Sequence, residues 1–217
     1  MSQRWFIGLP LSEEAERRVA RVVKRLKRSQ WKVRWEPREK WHQTLVFLGV
    51  TAEEQAKEIQ RILTALGGGM QFEVRLKGVD TFPRQEMSPK YGERIHGLTM
   101  RRLRLRQKPT MVLPKLIYLR LGGNLRALNR LGDTVRRDLD TAKLAFDHKP
   151  LRPHVTIGRI EPDCGRAERI EIGKTIAKFY NLDIPQRWTV ERVRWYESTL
   201  KPEGSVYQVI DEVKLRQ

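Results

Sequence analysis

The sequence predicts an α+β fold of two lobes related by a pseudo-twofold axis. Each lobe is expected to be a mostly antiparallel sheet with helices on its outer face, and the two enclose a central cleft. Two observations predict this fold: strand-like apolar runs alternate with amphipathic helical segments, and the second half of the chain repeats the order of the first. At 217 residues the chain can bury a core without disulfides or bound metal. We expect a single bilobal domain over residues 1–217.

The first half begins with an apolar, aromatic segment at 4–9, which predicts a buried strand. Ser12 is a typical N-cap, and the helix predicted after it has an apolar stripe. The stripe consists of Ala15, Val19, Val22, Val23 and Leu26. Next we expect a strand at 42–48, a helix beginning at Thr51 and an alternating strand at 72–76.

The second half repeats these elements at an offset of 112 residues, the separation of His42 and His154. At this offset residues 4–12 align with 116–124, and the helix after Ser12 corresponds to one after Asn124. With four residues added, the strand at Phe72 corresponds to one at Trp188. A period this long indicates a duplicated β-α-β-α-β unit, with repeat halves at about 1–83 and 115–217.

A basic insertion, residues 84–114, separates the halves and has no place in the repeat. It contains eight Lys and Arg residues against two Glu. It would suit a basic arm that grips a phosphate backbone. We favour the alternative that it is a solvated connection, because runs of charge are most often just solvated.

The overall charge of +18 indicates a polyanionic partner. Nucleic acid is favoured over a membrane, because no stretch approaches the roughly 20 apolar residues of a spanning helix and Met1 to Arg4 is not a signal-peptide start. The single cysteine, Cys164, suits a reducing compartment, so we expect a cytoplasmic protein.

The candidate site consists of two His-x-Thr motifs, His42–Thr44 and His154–Thr156, each at the start of a predicted strand. Residues i and i+2 of a strand point the same way, so each His and Thr pair shares a face, and the pseudo-twofold axis brings the pairs together. Two imidazoles can serve as general acid and general base on a phosphodiester, and two threonine hydroxyls can donate to its nonbridging oxygens. No metal and no cofactor is expected, because neither motif has a carboxylate or thiol nearby to complete a zinc site.

Other residues near the motifs are weaker candidates. Strand parity turns Arg159 away from His154, which predicts a rim or structural charge. Arg152 precedes the second motif and could contact a phosphate, but we favour a solvated loop for it. Trp41, Tyr118 and Tyr207 are of the type that stacks on bases, but packing is the more common role of such side chains.

The paired "HQTL" at 42–45 and "HVTI" at 154–157 resemble the signatures of the 2H phosphoesterase superfamily. The phrases "RWFIGLPLSEEAERRV", "KWHQTLVFLG" and "YESTLKPEGSVYQVIDEVKL" are similar to its RNA 2',3'-cyclic phosphodiesterase branch, also called 2'-5' RNA ligases. The resemblance spans nearly the whole chain except the insertion. It implies hydrolysis of a terminal 2',3'-cyclic phosphate on RNA to a 2'-phosphate. It further implies that His42 protonates the leaving ribose oxygen, that His154 activates water, and that Thr44 and Thr156 bind the phosphate.

Two alternatives stay open. The same site would serve a reversible 2'-5' RNA ligase or a 2'-5' phosphodiesterase, and a non-catalytic RNA-binding protein would use the basic insertion instead. In each case the expected partner is RNA. The protein would bind RNA ends that carry a cyclic phosphate or are single-stranded, including ends derived from tRNA. We expect a monomer, since the internal duplication already supplies twofold symmetry.

Overall fold

Two antiparallel sheets and four helices form the part of the chain that the computed structural model describes, residues 3–83, 113–202 and 204–217. The strands are β1 Gln3–Pro10, β2 Val33–Trp35, β3 His42–Thr51, β4 Phe72–Phe82, β5 Leu116–Gly123, β6 His154–Ile160, β7 Arg187–Val190, β8 Arg192–Lys201 and β9 Gly204–Lys214. The helices are α1 Glu13–Lys27, α2 Ala56–Ala65, α3 Leu125–Thr141 and α4 Arg166–Ala177. The predicted α+β class is confirmed. Nearly all of the predicted basic insertion, residues 84–112, lies outside the described residues.

The two halves of the chain exchange strands between the sheets. The first sheet has the order β3-β1-β8-β9 and the second the order β2-β6-β5-β4-β7. Strand β4, from the first half, therefore pairs with β5 and β7 of the second half, while β8 pairs with β1 of the first. Neither sheet is complete without strands from both halves.

The repeat is visible where the exchanged strands meet. Phe72 pairs with Val190, the equivalent of Val74, and Val74 pairs with Trp188, the equivalent of Phe72, so the pairing across the antiparallel ladder is reciprocal. Such reciprocal pairing is what a local twofold axis between the strands produces. The helix starts also correspond: the Ser12 side chain accepts from the Ala15 N–H (3.2 Å) and the Asn124 side chain accepts from the Ala127 N–H (3.0 Å).

One continuous apolar core joins the sheets and helices. The stripe of α1 is buried at Ala15, Val19, Val23 and Leu26, with Val22 at its margin. The helix predicted from Thr51 begins later, because Thr51 is still the last residue of β3. Its hydroxyl donates to the Leu48 carbonyl (3.4 Å), and a short 3-10 turn at Glu53–Gln55 precedes α2.

A bulge interrupts the alternation of β3 and β6 at equivalent positions. In β3 the pairing with β1 skips Leu45, and in β6 the pairing with β5 skips Ile157. Each bulge leaves two consecutive buried residues, so side chains beyond it change face. Phe47 and Arg159, which correspond in the repeat, are consequently exposed on the same side as the histidines.

Candidate functional site

The two motif histidines are held in the same way. His42 Nδ1 lies 2.7 Å from the Lys40 carbonyl oxygen, and His154 Nδ1 lies 2.7 Å from the Arg152 carbonyl oxygen. Because a carbonyl oxygen can only accept, each neutral ring must carry its proton on Nδ1 and keep the lone pair of Nε2 for the site. The two accepting carbonyls are equivalent in the repeat, so both histidines have the same tautomer.

The structure brings the two motifs to one cavity. Thr44 of the first motif and His154 of the second both line a cavity of about 610 Å³. Strands β3 and β6, which carry the two motifs, contact each other. Thr156 is half-buried in β6, two residues beyond His154, and pairs with Tyr118. The two motifs therefore lie on strands that contact each other, with one residue of each motif at the same cavity.

An aromatic ring packs against each histidine. Phe6 stacks on His42 with centroids 4.7 Å apart, and Tyr118, its equivalent in the repeat, meets His154 edge-on at 5.3 Å. Tyr207 contacts His42 edge-on at 5.4 Å. Trp41 is buried and its indole N–H donates to the Glu36 carbonyl (3.1 Å), so it is a packing residue. The tyrosines form walls of the site.

Burial favours the neutral form of both histidines. It lowers the pKa of His42 to about 4, and the bond to the Lys40 carbonyl opposes this only in part. Burial lowers the pKa of His154 in the same way, and the charges of Arg152 and Arg159 lower it further. At neutral pH each ring thus presents an unprotonated Nε2. His42 Nε2 lies 3.0 Å from Thr44 Oγ1, whose hydroxyl donates to it.

The depressed pKa of His42 predicts a loss of stability in mild acid. The unfolded chain titrates this group near 6.5, so between pH 6.5 and 4 the unfolded state binds more protons than the folded one. The free energy of unfolding should fall as the pH is lowered through this window, by about 3 kcal/mol from His42. Urea titrations of the protein at pH 7 and pH 4 measure this difference.

The matched variants for this measurement are His42→Asn and His148→Asn. His42→Asn removes the titrating group and should flatten the pH dependence, whereas exposed His148, which packs on Phe146, should leave it unchanged. An equal pH dependence in the wild type and in His42→Asn would show that His42 is not held neutral by the fold.

Arg159 is a site residue that the parity argument missed. The prediction that it points away from the cleft is wrong, because the bulge at Ile157 reverses the parity of β6. Arg159 Nε donates to buried Glu36 Oε1 (2.7 Å), and its charge acts on His42, His154 and Tyr207 alike. Burial raises the pKa of Tyr207, and Arg159 opposes this through a hydrogen bond and its charge. The positive charge of Arg159, anchored by Glu36, therefore lowers the pKa of both imidazoles.

The cavity beside His154 has apolar and cationic walls. Its aromatic side chains include Phe47 and Phe82, and the Arg152 guanidinium lies 4.7 Å from the Phe82 centroid. Arg136 reaches the wall from α3 and donates to the Leu45 carbonyl (3.1 Å). Arg152, which the sequence placed in a solvated loop, thus belongs to the cavity.

Metal-binding clusters and membrane-spanning helices are both absent from the described residues. These residues contain no group of three or more His, Cys, Asp or Glu side chains placed to hold a metal ion. Nor, over the same residues, does any helix combine the length and the apolar character needed to cross a membrane.

Known proteins resemble this chain in sequence. Residues 9–91 match the model of the LigT-like phosphoesterases. An RNA 2',3'-cyclic phosphodiesterase of Thermotoga maritima is 26% identical over 211 residues, which are 96% of this chain and 94% of that protein. Over this segment the chain is similar to the LigT-like phosphoesterases. The matched segment contains the first His-x-Thr motif, so the resemblance expected from the sequence is confirmed.

Solved structures share this fold over the whole chain. A crystal structure of a Thermus thermophilus protein superposes with a TM-score of 0.70 at 21% identity and covers 98% of both chains. Escherichia coli LigT complexed with 3'-AMP gives a TM-score of 0.65 at 16% identity and covers all of both chains. The two-sheet arrangement of this chain is therefore a LigT-like fold.

Proposed function

We propose that this protein hydrolyses 2',3'-cyclic phosphate ends of RNA to 2'-phosphates without a metal ion. The observation that carries the proposal is the pair of imidazoles held alike, each with Nδ1 bound to an equivalent carbonyl, together with the cavity that Thr44 of the first motif and His154 of the second both line. The Thermotoga relative is named for this reaction, and the 3'-AMP bound to LigT is a ribonucleotide. The proposed substrate class follows from these names together with the basic charge of the chain.

In the proposed mechanism His154 Nε2 removes a proton from water as the water oxygen bonds to phosphorus. His42, protonated in the complex, gives its Nε2 proton to O3' as the P–O3' bond breaks, which leaves a 2'-phosphate and a 3'-hydroxyl. Thr44 and Thr156 donate to the nonbridging oxygens. The negative phosphate opposes the burial that keeps His42 neutral, so protonation accompanies binding. The rings have matched geometry, so the assignment of acid and base rests on the family resemblance.

The cavity beside His154 suits the terminal nucleoside. Its volume of about 610 Å³ falls within the range of pockets that bury small ligands. Phe47 is half-exposed at its wall and offers a flat apolar face, while Arg152 is within reach of a backbone phosphate. The same arrangement would accept an RNA 5'-hydroxyl in place of water, whose attack on phosphorus breaks the same P–O3' bond and forms a 2'-5' linkage, as in the reversible 2'-5' ligase reaction. We further propose that the protein is a cytoplasmic monomer, in keeping with its buried free Cys164 and internal duplication.

The test is incubation of the protein with an RNA that ends in a 2',3'-cyclic phosphate, with and without EDTA. We expect a product with a 2'-phosphate in both cases, at equal rates. Addition of an RNA with a 5'-hydroxyl separates the alternatives, because ligation would join the two strands through a 2'-5' bond. Salt-sensitive binding of the RNA with no product would instead support the non-catalytic alternative and refute the proposal.

A further inference from the structure

Gln43 stands between the two motif residues His42 and Thr44, and its side chain points away from the cleft. It is buried, with 1% of its surface exposed. A buried amide without hydrogen-bond partners destabilises the fold, so the partners of this one decide what the residue contributes. Among side chains of this length, only glutamine and protonated glutamate carry both a hydrogen-bond donor and an acceptor at their end.

The Gln43 amide bonds to the backbone of the second motif, 111 residues away in the chain. Its Oε1 accepts from the His154 N–H at 2.5 Å, and its Nε2 donates to the Arg152 carbonyl at 3.3 Å and to the Thr44 carbonyl at 2.5 Å. One N–H and two carbonyls surround the group, so the orientation of the amide is fixed by its partners.

The Arg152 carbonyl is also the group that accepts from His154 Nδ1. Gln43 therefore holds both the peptide that carries His154 and the carbonyl that selects its tautomer. The same peptide is also held through the Pro153 carbonyl, which accepts from the Leu121 N–H at 3.2 Å, so loss of the amide would remove one of its two bonds and loosen the ring with it. The effect would reach the cleft through His154 Nε2, although Gln43 has no contact with the cleft.

The first motif lacks this support. The residue equivalent to Gln43 in the repeat is Val155, whose aliphatic side chain has no hydrogen-bonding group. The Lys40 carbonyl, which accepts from His42, is equivalent to the Arg152 carbonyl, which accepts from His154. Of these two carbonyls, the Arg152 carbonyl is the one to which Gln43 donates. The Gln43 amide is therefore one of the features that make the two motifs unequal.

We infer that Gln43 is a positioning residue that aligns the two motif strands and fixes the Nδ1–H tautomer of His154. The expected effect of Gln43 on turnover rests on the proposed function. Its expected effect on the His154 tautomer does not depend on any activity. Turnover should respond through kcat, because a small misplacement of a proton-transfer group is costly while the binding cavity stays intact.

The test compares Gln43→Met with Gln71→Met. Methionine keeps the length of glutamine without its polar atoms. Gln71 donates to the Leu215 carbonyl at 3.2 Å and does not line the cavity, so its variant loses a similar bond elsewhere. In ¹⁵N-histidine NMR at pH 8, we expect one Nδ1–H tautomer of His154 in the wild type and in Gln71→Met, and a mixture with the Nε2–H tautomer in Gln43→Met. We expect kcat to fall about 10- to 100-fold in Gln43→Met with KM unchanged.

Gln43→Asn keeps the amide but shortens its reach, and it serves if the methionine variant does not fold. A single Nδ1–H tautomer in the Gln43 variants would overturn the inference, as would a loss of turnover that only follows the folded fraction. If the wild type shows no phosphodiesterase activity, the proposed function fails, and the NMR comparison alone still decides the role of Gln43.

Discussion

Replacement of either motif histidine by asparagine is expected to lower kcat/KM for a 2',3'-cyclic phosphate by about 100- to 10,000-fold, the range in which general acid–base groups contribute. Asparagine retains an N–H that can donate to the Lys40 or Arg152 carbonyl, which accept from the histidines in the wild type. The asparagine side chain has no titratable group. The fall in kcat/KM would therefore report the loss of proton transfer and not the loss of a structural hydrogen bond. Steady-state hydrolysis of a cyclic nucleotide measures it.

The double variant sharpens this result. Two groups that act in one step are not additive, so His42→Asn combined with His154→Asn should be little slower than the worse single variant. His148→Asn is the control, because this exposed histidine packs on Phe146 and lies outside the two motifs. Near wild-type turnover in either motif variant would rule out a mechanism with two histidines.

The sequence correctly predicts which side chains of the motif strand β3 are buried and which are partly exposed. His42 and Thr44 are half-buried while Gln43 and Leu45 are buried, as a period of two requires. The repeat likewise predicted which helices and strands correspond. It did not predict strand exchange, because periodicity says which face of a strand is buried and not which strand lies beside it.

The position of Arg159 was missed for a physical reason that is visible in retrospect. In β3 the consecutive apolar residues Leu45 and Val46 break the alternation, and Ile157 and Gly158 occupy the same places in β6. Two adjacent buried positions in an alternating strand indicate a bulge, and its repetition at equivalent points is the signal that could have placed Arg159 in the cleft. Gln43 gave no such signal, since its partners are backbone groups, two of them from the other half.

We propose that Arg159 also contributes positive charge to phosphate binding, so its replacement by methionine should lower kcat/KM about 10- to 100-fold, the size of one charge-assisted hydrogen bond. The guanidinium also repels the protonated forms of both imidazoles and neutralises buried Glu36. Without it the pKa of His42 and the pKa of His154 should both rise. The bell-shaped profile of kcat/KM against pH, which reports the free enzyme, should therefore move to higher pH.

The shift separates this role from a purely structural one. A variant that only loosens the fold would lower the profile without moving it along the pH axis. Arg187→Met is the matched control, because Arg187 forms an exposed ion pair with Glu73 on β4 and should change neither the height nor the position of the profile. Arg159→Lys keeps the charge and should keep the position, but it loses the planar donor geometry and so part of the rate. An unmoved profile in Arg159→Met would place the positive charge that the phosphate requires elsewhere in the cleft.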